Sequence, residues 1–123
     1  MKSTMFMGIL AVSMIVGSAR ADSYHEAIDG LMRASYRHME LTYVCREITG
    51  LSRYRNAFVA AQNAIRATGM PTDIAMSTAV KMVSNIEAAP AAPDPGFSDC
   101  TIGVTRTKQE LLDWGAKFRR SQR

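Results

Sequence analysis

Apolar side chains recur at three- and four-residue spacing along most of this chain, the signature of amphipathic helices. The first such stretch covers residues 23–49. Tyr24, Ile28, Leu31, Met32, Met39 and Tyr43 share one face, and Glu26, Asp29, Arg33, Arg37 and Glu40 lie on the other. Ser23-x-x-Glu26 in front of it is a capping box, in which hydroxyl and carboxylate each satisfy an unpaired backbone amide, and it predicts the helix start. Near residue 40 the apolar face shifts. Leu41, Val44, Cys45 and Ile48 fall opposite Ile28 and Met39. Either the helix breaks near Glu40, or one continuous helix is gripped from two sides. No Gly or Pro interrupts residues 31–49. That favours the continuous helix, released at Gly50, the residue type that takes positive φ after a helix end. Gly30 counts as a weak point worth about 1 kcal/mol against alanine.

Ser52 is placed to cap a second helix over residues 53–68, where Tyr54, Phe58, Ala61, Ile65 and Thr68 keep the rhythm. Its flanking alanines, Ala57 and Ala64, permit close approach of a neighbouring helix. Gly69-Met70-Pro71 ends it. Thr72 is placed to cap a third helix over residues 73–89, with Asp73 favourable at the positive end of the helix dipole. Its apolar stripe includes Ala75, Met76, Ala79, Met82 and Ile86. Residues 88–97 then carry three prolines and a glycine, which predicts an extended connector. A spacer is the simpler reading of it than a ligand for a proline-binding groove. Phe97 is expected to plug the bundle. Residues 101–105 are ambiguous, because Ile102 and Val104 alternate as in a strand and Gly103 weakens a helix. A second capping box, Thr107-x-x-Glu110, predicts a short last helix carrying Leu111, Leu112, Trp114 and Phe118.

The N-terminus differs in kind. Lys2 precedes an apolar run from Met5 to Val16 broken only by Ser13, and Ala19-Arg20-Ala21 supplies small residues at the cleavage positions. This is the pattern of a secretory signal peptide, residues 1–21, cleaved after Ala21. The run is shorter than the roughly 20 residues that an ordinary membrane span needs, so no stable membrane insertion is expected after cleavage. Residues 22–123 are expected to form a single helical domain. Lys2 and Arg20 account for two of the 15 basic side chains, so that domain would carry a net charge of about +2 rather than +4. So mild an excess argues against nucleic acid as the partner.

Export also changes the meaning of the two cysteines. An even pair in an exported chain is more often structural than catalytic, and Cys45 and Cys100 are expected to form a disulfide. Closing a loop of roughly 55 residues contributes on the order of 4 kcal/mol in the chain-entropy account. No C-x-x-C supports a redox role.

Few residues suggest chemistry. His25 and His38 stand 13 residues apart on one helix, too far to share a metal, and both read as ordinary surface or boundary side chains. No zinc-protease, serine-hydrolase or phosphate-loop pattern occurs. Glu40 and Glu47 read as solvated. No catalytic residue, metal ligand or cofactor is assigned, and a non-enzyme is the expectation. The arginines Arg33, Arg37, Arg46, Arg53, Arg55 and Arg66 read as a solvated face, and Met32, Met39, Met76 and Met82 as core rather than as a soft groove.

Together these features predict an all-α bundle of four helices, or five if the first one breaks, stapled by Cys45–Cys100. The layout resembles that of several exported bacterial helical proteins that bind partners, among them toxin-neutralising immunity proteins and small acid-stress chaperones. The resemblance is one of architecture and assigns no residue a role. The leader suits a periplasm. The expectation is a periplasmic, non-enzymatic protein that binds a protein partner through a helix surface. Tyr24, Tyr36, Arg37, Tyr54 and Arg55 are its contact candidates, because Tyr and Arg are enriched at binding hot spots. The alternatives are an acid or envelope-stress chaperone, and an enzyme whose site leaves no motif.

Overall fold

One long helix, α1 (Lys2–Val44), is the axis on which everything else is laid. It is followed by α2 (Arg46–Thr49), α3 (Leu51–Ala67), α4 (Thr72–Ala88) and α5 (Phe97–Ser121). This computed structural model describes the backbone of residues 2–90 and 95–122, and the side chains of residues 23–90 and 95–122. The expected leader side chains and the connector tip, 91–94, lie outside the described residues.

The shift of apolar face near residue 40 arises because α1 is packed on two sides. Met32, Tyr36, Met39 and Tyr43 turn toward α3 and α4, joining Tyr54, Ala57, Ala61, Ile65, Ala75, Ala79, Met82 and Ile86. Tyr24, Ala27, Ile28, Leu31 and Ala34 turn toward α5 and meet Leu111, Trp114 and Phe118. The stripe that looked like one face in the sequence is therefore shared between two cores. The helix is continuous through Glu40. Its break comes at Cys45, whose φ −92° and ψ 9° separate α1 from the short α2. Ser35 and Thr42, buried between the two packing sides, donate their hydroxyls back to Leu31 O, His38 O and Met39 O, which makes their burial tolerable.

The disulfide is present between Cys45 and Cys100, with Cα atoms 5.6 Å apart, inside the usual range for such a bridge. Both cysteines are fully buried, with Leu41 and Val104 around them. The bridge therefore joins the C-terminal end of α1 to the first turns of α5.

Several local expectations give way to this packing. The backbone is helical on both sides of Ser23, so the capping box there lies within α1. Gly50, at φ 99°, starts α3 directly, which puts Ser52 inside the helix, and no side chain caps that end. Pro71 takes the position before α4 and displaces Thr72 into the helix, while Asp73 does fall in the first turn. The connector is one residue shorter at each end than expected, since Ala88 closes α4 and Phe97 opens α5. Phe97 is 71% exposed and plugs nothing, because the buried positions of α5 begin only at Cys100.

The last helix is the largest departure. Residues 101–105 are helical, and α5 starts ten residues before the expected cap at Thr107. Thr107 is buried in mid-helix and gives its hydroxyl hydrogen to Val104 O. Gly103 does not weaken α5 so much as let it close on α1: a Cβ there would lie 2.8 Å from Leu41 Cδ2. Gly30 plays the same part from the other side, because a Cβ on it would run into the Trp114 indole.

Candidate functional site

The expected contact residues do not gather. Tyr24 is half-buried, with its ring 5.7 Å from that of Phe118, and serves the α1–α5 core. Tyr36 is half-buried on the opposite side of α1, against α3 and α4. Arg37 is exposed and pairs with Glu110 on α5 at 3.0 Å. Tyr36 and Arg37 do share one shallow depression with Met32 and Glu40. Arg55 is exposed on α3. Tyr54 must be withdrawn as a surface contact: it is only 7% exposed, packs 5.0 Å from the Tyr43 ring, and leaves its hydroxyl without a partner. Burial and the nearby Glu87 carboxylate push its pKa up to about 12.

His38 also departs from expectation. It is buried at the α1–α5 interface, with Nδ1 2.7 Å from Thr107 Oγ1. Thr107 Oγ1 also lies 3.1 Å from Val104 O, and with its hydrogen given there the hydroxyl oxygen is left to accept from a His38 protonated on Nδ1. Burial lowers the pKa of His38, and Lys108 from α5 and Arg53 from α3 lower it further. His25 is exposed. Among the described residues, no three His, Cys, Asp or Glu side chains come together as metal ligands, and no helix is long and apolar enough to cross a membrane.

Of the other concave surfaces, two have the most apolar lining. One, of about 720 Å³, lies beside the connector. Its arginines Arg37 and Arg46 face three carboxylates, Glu40, Glu47 and Glu87, which leaves only one negative charge in excess. Arg46 is further occupied by the Tyr43 ring, 4.1 Å from its guanidinium carbon.

The second, of about 480 Å³, is a cleft between α3 and α5, and its physical origin is plain. Both helices run antiparallel to α1 and pack on it, but nothing large stands between them. The floor is Leu31 of α1 with Leu111 and Phe118 of α5. One wall is Ala60, Ala64 and Ala67, and the other is Leu112 and Gly115. Leu112 is 56% exposed beside it. Small residues at three- and four-residue spacing make smooth walls that admit another helix closely. Sequence reasoning missed this surface. The available signal was the run of alanines on α3: Ala57 and Ala61 pack in the core with α4, and Ala60, Ala64 and Ala67 form a second small face toward α5.

Comparison of the chain with protein-family models, with curated proteins and with solved structures returns no match.

Proposed function

We propose that this chain is an exported, non-enzymatic helical protein that binds a protein partner through the cleft between α3 and α5. The observation that carries this reading is the cleft itself: an open, apolar, small-walled slot of about 480 Å³. Helix-in-groove recognition uses such surfaces. The cleft holds no convergent acid, base or nucleophile, which favours binding over catalysis. The leader pattern supports a periplasmic setting, and a fold held by one buried disulfide suits it.

A photo-crosslinker placed at Leu112, and in parallel at Arg55, tests the reading in periplasmic extract. The expected result is one identified protein captured from position 112, absent from position 55, and competed away by excess unlabelled chain. Identical products from both positions would overturn it.

A second reading, an acid-stress chaperone, is favoured by one observation. His38 is buried beside Thr107 with Lys108 and Arg53 close by, so its protonation would place a third cation at the α1–α5 interface. Acid would then loosen α5 and expose apolar surface. Dye binding and suppression of client aggregation that stay unchanged from neutral pH to about pH 3 would remove this reading.

A further inference from the structure

We infer that the partner segment that enters the α3–α5 cleft is an acidic amphipathic helix, a chemistry written in the cations that flank the slot. This inference rests on the reading of the cleft as the binding surface. Helical register carries the cleft-facing line of each helix past the lining residues. Arg53 precedes Ala60 by seven residues on α3, Lys108 precedes Gly115 by seven on α5, and His38 follows Leu31 by seven on α1. Seven residues is close to two full turns, so each of the three stays on its helix's cleft-facing line. His38 meets α5 at Thr107, the residue before Lys108, with Nδ1 2.7 Å from Oγ1, and the charges of Lys108 and Arg53 both lower its pKa. Arg119, exposed on α5, lines the cleft with its guanidinium folded back toward Gly115.

Cations therefore flank the mostly apolar trough, Arg53 and Lys108 beyond one end and Arg119 along the α5 wall, and no acidic side chain lines it among the described residues. The nearest acids of α5 are engaged elsewhere: Glu110 holds Arg37 and Asp113 accepts from Gln109. A docked helix that presents large apolar side chains to the alanine and glycine walls would meet these cations with acidic residues on its flanks. Complementary charge of this kind fixes partner choice and register more than it adds raw affinity.

Two 18-residue fluorescein-labelled peptides provide the probe. Both carry leucine at positions i, i+4, i+7 and i+11 of one face, and they differ only in having glutamate or lysine near each end. Fluorescence anisotropy against the oxidised chain should give at least ~10-fold tighter binding of the glutamate peptide at low salt, a gap that narrows as salt screens it. The exposed triple variant Arg53→Glu, Lys108→Glu, Arg119→Glu should invert the preference. Leu112→Glu should weaken both peptides, with each variant's fold checked by its urea midpoint. Equal affinity for the two peptides, or a preference that survives the triple reversal, overturns the inference. Capture from position 112 that persists alongside such a result leaves the binding reading standing and fails the acidic helix alone. Self-association abolished by Leu112→Glu would make a second copy the occupant and overturn the inference. So would phosphatidylglycerol vesicles that bind the chain better than the glutamate peptide does and are released by the triple reversal.

Discussion

The indole of Trp114 on α5 occupies the space that a side chain on Gly30 of α1 would need. A glycine in mid-helix is ordinarily a loss, and replacing it with alanine gains about 1 kcal/mol where space allows. Here the methyl group would drive α5 away from α1 or force the indole out of place. Gly30→Ala is expected to destabilise the fold by a net 1–3 kcal/mol, the usual cost of overpacking. Urea denaturation measures it, and a raised midpoint would contradict the packing.

His38 makes stability depend on pH in one direction. Its pKa in the fold lies below the ordinary 6.5. The unfolded chain therefore takes up the proton first as pH falls. Stability from the neutral imidazole is fully present above about 6.5 and is lost progressively as pH drops from there to the lowered folded value. His38→Gln keeps a side chain able to donate to Thr107 but removes the titration. Urea midpoints followed from about pH 7.5 to about pH 4.5 should fall for the parent chain and fall less for the variant. Parallel profiles would count against His38 as the source.

Among the described residues, the buried hydroxyl of Tyr54 finds no hydrogen-bond partner. Such a group costs desolvation and returns nothing. Tyr54→Phe is expected to be neutral or to stabilise by up to about 1 kcal/mol, while retaining the packing on Tyr43. A loss above that size would mean that the hydroxyl has a partner.

Arg37 and Glu110 pair at 3.0 Å, but their side chains are 56% and 36% exposed. Pairs of this kind contribute about 0–1 kcal/mol. Arg37→Ala should leave the urea midpoint nearly unchanged. A drop above about 1 kcal/mol would assign this pair a larger part in holding α5 on α1.

The helices and the bridge were legible in sequence because they follow from strong, local or compositional signals. Periodicity located the cores of α3 and α4, and the even cysteine count in a chain with a leader pattern pointed to Cys45–Cys100. What was not legible depends on distant neighbours. Gly30 and Gly103 look costly until Trp114 and Leu41 are seen against them. Thr107-x-x-Glu110 matches a helix start, but a threonine hydroxyl bonds equally well to the preceding turn, as it does to Val104 O. Tyr54 was selected by residue type, which says nothing of burial. The cleft was hidden because Ala60 and Ala64 look like any other alanines until α3 and α5 are seen side by side on α1.

The bridge also divides the molecule mechanically. It fastens α1 to α5 at one end, so the α3–α4 hairpin hangs as a closed excursion from that fastened pair. The hairpin is held on α1 by packing alone, through the core it shares with Met39, while the other two rods are also covalently clasped. Backbone amides of α4, the outermost rod, should accordingly exchange with deuterated water ahead of those flanking Cys100, and limited proteolysis should nick the hairpin while leaving both ends of the chain joined as one covalent fragment.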